Sequence, residues 1–137
     1  MREILFRGKT SDANKWIEGY LFVSQEGGHY IIDTNNDGDN GIPVRLILVN
    51  PETVGQYTGK TDKNKTRVFD GDIIRILNAK QPLEVGVVRW NDDDQCYVVC
   101  STWSERCILT DFRNLGRSKF EVIGNIHSNP ELLEVTE

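Results

Sequence analysis

Residues Gly71–Ile76, GDIIRI, begin a series of short apolar runs that decides the fold class. EVGVVRW (84–90), CYVVCSTW (96–103) and FEVIGNI (120–126) follow in order, and the acidic turn Asp92–Asp94 separates the first two of these. Runs that are rich in β-branched residues and bounded by turn-forming residues are typical of β-strands. The second half of the chain is therefore predicted to be a succession of strands.

The first half of the chain has the same pattern. Its apolar runs are EILFR (3–7), WIEGYLFV (16–23), HYIID (29–33) and VRLILV (44–49). Turn-rich segments lie between these runs, as in an all-β domain. We predict an all-β, mainly β, chain with an N-terminal β-hairpin region over residues 1–66. A small, bent barrel of the Src-homology-three-like type is predicted within residues 67–137, from about 69 to 126, and the two parts are expected to form one compact unit.

Two Asn-Pro-Glu segments interrupt the β pattern. Asn50 and Asn129 can act as helix caps, and the prolines that follow them, Pro51 and Pro130, suit the first helical position. A glutamate then suits the positive end of the helix dipole. Two short helices are therefore predicted, the second at the C-terminus.

The loop Asp33–Gly41, DTNNDGDNG, begins like an EF-hand calcium loop. A complete EF-hand loop has a bidentate Glu at its twelfth position, and Val44 stands there in this chain. The flanking runs are also β-type and not helical. We interpret the segment as a hairpin loop and expect no metal site in it.

Chain length and apolar runs limit the class of protein. The 137 residues are enough for one domain with a substantial core. No apolar run approaches the roughly 18 residues of a membrane span, and the N-terminus has no long apolar region of a secretory signal. We expect a soluble, cytoplasmic protein that does not bind membranes.

The three cysteines, Cys96, Cys100 and Cys107, give no signal for a disulfide or a metal. The first two are four residues apart in one predicted strand, which is too far for a disulfide. They form no C-x-x-C pair, and both histidines are distant in sequence. We expect reduced, buried thiols.

Three blocks of the sequence resemble a known family. They are MREILFRGK with KWIEGYLF near the N-terminus, VGQYTGKTDKNKTRVFDGDIIRI (54–76), and VIGNIHSNPELLE (122–134). Together they resemble the YopX family of small proteins of Gram-positive phages and prophages. The resemblance implies a mainly β fold with a Src-homology-three-like barrel in the second half. It implies no catalytic residue, because the family has no established activity.

The chain departs from the family pattern at one position. Family members often read Asp-x-Asn-Gly where this chain has DKNK, so Lys65 stands at the glycine position. A two-residue primed turn with Gly in second place is less favoured here, and a longer loop is plausible. Asn64 is the residue expected to take the left-handed conformation.

The sequence has no motif of a catalytic site. A nucleophile with its base, a pair of spaced carboxylates or a metal motif would be needed. Asp70 and Asp72 are two residues apart, but Asp-Gly-Asp is common in turns, where the carboxylates bond backbone amides. We predict no enzyme, no catalytic, cofactor-binding or metal-ligating residue, and no cofactor.

Aromatic residues are better candidates for a site. Trp16 and Tyr20 alternate onto one face of a predicted strand, and Tyr97 and Trp103 onto one face of another. Such faces can be core, a peptide groove or a subunit interface. The candidate interaction surface consists of Trp16, Tyr20, Tyr30, Tyr97 and Trp103.

Three classes of function fit these features. The leading class is a non-enzymatic phage or prophage accessory protein that binds itself or another phage or host protein. The second is nucleic-acid binding, since the Gly-Asp start and the following Gly-Val pair resemble KOW-type modules, and the candidate contacts are Lys60, Lys63, Lys65 and Arg67. The formal net charge of −5 opposes it. The third is an acidic mimic of DNA, but 21 acidic against 16 basic residues is a modest excess.

The run VRLILV bears on assembly. Arg45 is the single charge in it that would discourage pairing at a sheet edge. Such a strand is either buried on both faces within the monomer or covered by another chain. We favour a homo-oligomer closed by rotational symmetry, which would bury this strand.

Overall fold

A computed structural model describes residues 3–33, 45–77, 84–102 and 108–133 of the chain. Within these residues the protein is mainly β, with two antiparallel sheets, and this confirms the coarse fold class. The described strands are β1 (Phe6–Lys9), β2 (Trp16–Val23), β3 (His29–Asp33), β4 (Leu46–Leu48), β5 (Gly55–Thr61), β6 (Arg67–Phe69), β7 (Asp72–Ile76), β8 (Glu84–Asn91), β9 (Cys96–Cys100), β10 (Ile108–Asp111) and β11 (Phe120–Asn125).

The chain forms two compact units, Met1–Tyr57 (unit 1) and Thr58–Glu137 (unit 2). In unit 1, β1 to β4 form an antiparallel meander, and a 3-10 helix at Pro51–Thr53 follows. The start of β5 then pairs with β1, with Gln56 opposite Phe6. The strand order in unit 1 is therefore β4-β3-β2-β1-β5.

Unit 2 repeats this strand order. Strands β7 to β10 form the meander, and two 3-10 helices, Phe112–Asn114 and Arg117–Lys119, follow. Strand β11 then returns to pair with β7, so the order is β10-β9-β8-β7-β11. Strand β6 is the neighbour of β5, whose second half lies in unit 2.

The barrel predicted over about residues 69–126 is an open sheet in the described residues. Strand β10 pairs with β9 alone and β11 pairs with β7 alone, so these two strands are the edges. The register shifts between Ile108 and Thr110 on β10 and between Val122 and Gly124 on β11. Such bulges bend a sheet locally, but here they do not bring the edges into pairing.

The core of unit 2 lies on both faces of its sheet. Alternation along the strands places Ile73 and Val87 on one face and Ile74 and Val88 on the other. One cluster of buried residues contains Val68, Ile74, Val88, Val99, Phe112 and Phe120. The second cluster contains Ile73, Val87, Cys96, Val98 and Cys100. Burial on both faces explains why β7 and β9 are nearly continuous apolar runs.

The cysteine prediction is confirmed for two of the three residues. Cys96 and Cys100 are free and buried in the second cluster of unit 2. Cys107 lies outside the described residues. The two thiols act as small apolar side chains of the core.

Both Asn-Pro-Glu segments form single 3-10 turns, Pro51–Thr53 and Pro130–Leu133. The predicted capping by asparagine is wrong for Asn50, whose side chain makes no capping bond. The hydroxyl and the backbone N–H of Thr53 both donate to the Asn50 carbonyl instead, at 2.7 and 3.0 Å. The side-chain oxygen of Asn129 accepts from the N–H of Asn125, at 3.3 Å, on the strand that precedes it. A turn this short is closed by its neighbours more than by its own cap.

The described residues include no helix with the length and apolarity needed to cross a membrane.

Candidate interaction surface

Strands β2, β3 and β4 place six apolar side chains on one face of unit 1. Tyr20 pairs with Ile32, which pairs with Leu46, and Phe22 pairs with Tyr30, which pairs with Leu48. Directly paired residues point to the same side of an antiparallel sheet, so these two rows lie side by side. We call this set of six residues the exposed apolar face.

Four members of the exposed apolar face are about half accessible to solvent. The exposed fractions are 52% for Tyr20, 47% for Phe22, 54% for Leu46 and 47% for Leu48. Tyr30 and Ile32 are half-buried between them, and the rings of Phe22 and Tyr30 have their centroids 6.2 Å apart. Scattered apolar residues are ordinary on a protein surface, but a contiguous set of this kind is a candidate interaction site.

The opposite side of the same strands is buried around Ile31, although Val23 at the end of β2 is 47% exposed there. Ile31 and Val49 are 0% and 1% exposed, and Gly8 lies so close to Val49 that an added Cβ would approach its side chain to 3.0 Å. Alternation therefore gives these strands apolar residues on both sides, with the buried ones centred on Ile31. The solvated side of an antiparallel sheet usually carries polar residues. The exposed apolar face departs from this pattern and needs an explanation.

Trp16 lies on the same side of the sheet but is covered by cations. The guanidinium of Arg7 lies 4.6 Å from its ring centroid and the ammonium of Lys9 lies 5.5 Å from it. Arg7 is also directly opposite Glu18 in the pairing of β1 with β2. Of the predicted surface residues, Trp16, Tyr20 and Tyr30 thus share one side of unit 1.

Tyr97 belongs to a separate place in unit 2. It is half-buried against the first core cluster, and its ring meets that of Trp90 edge-on at 5.2 Å. Trp90 is 45% exposed and donates its indole N–H to Asp92. Trp103, the remaining predicted residue, lies outside the described residues.

Sequence reasoning did not select Phe22, Leu46 or Leu48. Phe22 was predictable, because it lies two residues after Tyr20 and therefore on the same side of the strand. The leucines were not, because the run VRLILV does not show which of its side chains face solvent. That depends on the pairing of β4 with β3 and on what covers each side.

Among the described strands, β4 pairs with β3 alone and is therefore an edge of its sheet. A groove of about 510 Å³ follows this edge and is lined by Ser11, Asp12, Arg45, Leu46, Ile47 and Leu48. The N–H of Ser11 donates to the carbonyl of Leu48 at 3.2 Å, which fixes the Ser11–Asp12 end of the groove. Arg45 lies at the start of the strand, at the other end.

A sequence model of the YopX protein family matches residues 5–134. The chain belongs to the YopX family. No curated protein matches the chain at a significant level. A solved structure, protein EF1440 from Enterococcus faecalis, is similar over 97% of this chain and 99% of its own, with a TM-score of 0.56 and 19% sequence identity. At that identity the similarity concerns the fold alone.

The central block of the YopX resemblance contains a buried structural carboxylate. Asp62 is 1% exposed, and its Oδ1 accepts the N–H groups of Asn64 and Thr66 at 2.8 and 2.9 Å. Its Oδ2 accepts the N–H of Val122 on β11, at 2.8 Å. A carboxylate with several backbone donors fixes a loop, so this YopX residue acts in folding.

The turn that follows Asp62 has its left-handed residue at Lys65, not at Asn64 as predicted. The φ angle of Lys65 is +64°, and its N–H donates to the Asp62 carbonyl at 3.0 Å. The family's glycine position thus keeps its conformation although the residue has a side chain. The N–H of Asn64 donates to the carboxylate of Asp62, and the positive φ falls on the next residue, Lys65.

The second YopX carboxylate motif is also part of a turn. Asp72 is 1% exposed and accepts the N–H of Phe69 at 2.8 Å, as expected for Asp-Gly-Asp. Gly71 between the aspartates has a φ of +95°, which a residue with a side chain rarely adopts.

In the part of the chain that the structure describes, no group of three or more His, Cys, Asp or Glu could hold a metal ion. Of the EF-hand-like loop, only Asp33 at the end of β3 is described.

The basic stretch of the YopX block is partly turned inward. The ammonium of Lys60 donates to the carbonyls of Phe112 and Leu115, at 2.5 and 2.8 Å, and lies over the Phe112 ring. Burial lowers the pKa of Lys60 below its usual value, against the opposing effect of Asp111. The ammonium of Lys63 lies 3.5 Å from a carboxylate oxygen of Glu121. Lys65 and Arg67 are exposed.

Proposed function

We propose that this YopX-family protein acts without catalysis, by binding other proteins through the exposed apolar face of unit 1. The observation that supports it best is the half exposure of Tyr20, Phe22, Leu46 and Leu48 on one side of a single sheet. Interface cores are enriched in aromatic residues, and a rim of polar residues surrounds them. Here Arg7, Lys9 and Glu18 would supply such a rim.

The carboxylates also favour a binding role over an enzymatic one. Asp62 and Asp72 are the described acidic residues that are almost fully buried, and both accept backbone N–H groups. A carboxylate held in that way stabilises a turn and is poorly placed to accept a proton from a substrate. We therefore assign no catalytic residue and no cofactor.

The setting proposed for this role is the cytoplasm of a Gram-positive host, where the protein would be an accessory protein of a phage or prophage. In this proposal unit 2 has the strand order of the Src-homology-three-like barrels, with its sheet open in the described residues. The return of β11 to β7 after 3-10 turns supports that assignment. The proposed partners are a second copy of the chain or a phage or host protein.

Nucleic-acid binding is the alternative function. Aromatic residues beside Arg7 and Lys9 on one sheet face are an arrangement that single-strand binders use for stacking and for phosphate contacts. Two observations weigh against it. The net charge is −5, and two of the four half-exposed members of the face, Leu46 and Leu48, offer no stacking surface. The ammonium of Lys60, moreover, already bonds two carbonyls.

Site-specific photocrosslinking tests the proposed function. A photoreactive phenylalanine would replace Phe22 in one variant and Trp90 in a matched control, because the two aromatic residues are 47% and 45% exposed. Irradiation in a Gram-positive lysate is expected to give discrete protein adducts from position 22 and none, or a diffuse background, from position 90. Equal labelling at both positions would contradict the proposal, and adducts that nuclease removes would favour the alternative.

A further inference from the structure

We infer that the edge of β4 pairs antiparallel with β4 of a second copy of the chain, and that this pairing closes a symmetric dimer. The inference rests on the proposed function and names the partner for unit 1. It follows from three features of the edge groove: the direction of its backbone groups, the positions of its two charges, and the side chains next to it.

The backbone groups of Leu46 point to the open edge. The N–H of Asp33 donates to the Arg45 carbonyl and the N–H of Val49 donates to the His29 carbonyl, both at 3.0 Å. Arg45 and Val49 therefore face β3, and since bonding direction alternates along an antiparallel strand, Ile47 does so as well. The backbone N–H and carbonyl groups of Leu46 and Leu48 therefore point away from β3, towards the open edge. The Leu48 carbonyl accepts the N–H of Ser11, while the N–H and carbonyl of Leu46 have no partner within the described residues.

An antiparallel pair with its two-fold axis at Leu46 satisfies these groups. The N–H of each Leu46 would donate to the carbonyl of Leu46 in the second copy, which is the hydrogen-bonded pair of an antiparallel ladder. The Ser11 bond to Leu48 stays intact. An edge that offers such groups with apolar side chains is a template for another strand, and natural edges normally carry charges or proline against this.

The two charges of the groove are complementary under the same two-fold axis. Arg45 is at one end and Asp12 is at the other, and neither has an ion-pair partner in the part of the chain that the structure describes. With Leu46 opposite Leu46, the second copy's Arg45 lies opposite Ile47, next to the Ser11–Asp12 end. Each Arg45 then meets the other copy's Asp12, so one interface contains the same pair twice.

The side chains favour a second copy over an unrelated segment. In this register the two Leu46 side chains are cross-strand neighbours on the exposed apolar face, and each covers part of the other. The faces of both copies would join into one larger apolar surface. A chain with a different charge order would leave Arg45 or Asp12 without a partner or place a like charge against it, which disfavours that chain.

A charge exchange between copies tests the pairing. Asp12→Arg places two like charges against each other at both symmetric contacts, and Arg45→Asp does the same. Each single variant is expected to weaken the dimer about tenfold. The double variant, and an equimolar mixture of the two single variants, restore opposite charges at both contacts and should regain the wild-type dissociation constant.

Sedimentation and light scattering at micromolar concentration give the readout. The wild-type chain is expected at about twice its mass of 15.6 kDa, and circular dichroism checks that all variants stay folded. Leu46→Pro is a second probe, because its lost N–H faces the open edge and proline is tolerated there. It should give a folded monomer.

The possible failures separate the two proposals. A wild-type chain that stays monomeric would overturn the inference, and crosslinking from position 22 to another protein would still support the proposed function. A dimer that is unaffected by the charge variants would overturn the β4 pairing and leave assembly through the exposed apolar face. Restored binding in the double variant but not in the mixture would show that the charges act within one chain, and this too would overturn the pairing.

Discussion

Units 1 and 2 have the same strand order but use their apolar residues differently. In each unit four strands form a meander, and a fifth returns after one or two 3-10 turns to pair with the first. The sheet of unit 2 buries apolar residues on both faces, for example Ile73 on one and Ile74 on the other. The sheet of unit 1 buries Ile31 and exposes Leu46. Topology alone therefore does not determine which face of a sheet becomes core.

The difference lies in what covers the second face. In unit 2, Leu133 of the 3-10 helix Pro130–Leu133 packs against the second core cluster. In unit 1, the described residues include no such segment over Tyr20 and Leu46, which are about half exposed. A sheet face that its own chain leaves open is available to another chain, which is the basis of the proposed function.

The buried polar groups provide the strongest test of the contrast between the units. Unit 2 relies on the carboxylate of Asp62 and unit 1 on the hydroxyl of Thr53, which accepts the N–H of Lys9 at 2.9 Å. Asp62→Ala leaves three backbone N–H groups without their acceptor and should lower the free energy of unfolding by about 4 kcal/mol. Thr53→Val should cost about 1 kcal/mol. Urea unfolding followed by circular dichroism measures both, and equal losses would remove the distinction.

Truncation of apolar side chains tests the contrast in coverage. Ile74 is 0% exposed and Leu46 is 54% exposed. Ile74→Ala should cost about 3 kcal/mol, because it removes buried methyl groups and leaves a cavity. Leu46→Ala should change the stability of the monomer by less than about 0.5 kcal/mol. A large loss for Leu46→Ala in dilute solution would mean that the exposed apolar face is covered within the monomer.

The close contact at Gly124 tests how tightly the C-terminal segment covers unit 2. An added Cβ there would lie 2.6 Å from the side-chain oxygen of Asn129 and 2.9 Å from Leu132. Gly124→Ala should therefore cost about 2 kcal/mol through overpacking. Gly116→Ala is the matched control, because its nearest neighbour would be 3.8 Å away and its φ is −64°, and we expect a change near zero. Similar effects at both positions would show that the cover is loose.

The turn at Lys65 should give the smallest effect and the only gain. Lys65→Gly removes the cost of a left-handed conformation and should raise stability by about 0.5 kcal/mol, after the larger entropy loss of glycine. Asn64→Gly is expected to lower stability by a similar amount, since Asn64 has no positive φ. Thermal unfolding decides between the two positions, and a gain at Asn64 instead would place the left-handed residue as the sequence predicted.

Strand positions were predictable to the extent that local signals specify them. Alternation and turn residues predicted the mainly β class, and the Asp-Gly-Asp turn predicted the amide bond of Asp72. The roles of Asn50 and Asn64 were not predictable, because each depends on a competing neighbour, Thr53 in one case and Asp62 in the other. Within the candidate site, Tyr20 and Tyr30 were found and the exposed leucines were missed.

The sequence by itself determined the family, the mainly β class and the reduced state of Cys96 and Cys100. The family rests on three blocks of motifs in order, and the other two rest on patterns within a few consecutive residues. Only the tertiary structure decided that, among the described strands, β4 is an edge and β10 and β11 stay unpaired with each other, and that Tyr20, Phe22, Leu46 and Leu48 share one exposed side. These features depend on pairings between strands that are distant in sequence. An apolar side chain looks the same in a sequence whether a distant segment covers it or solvent does.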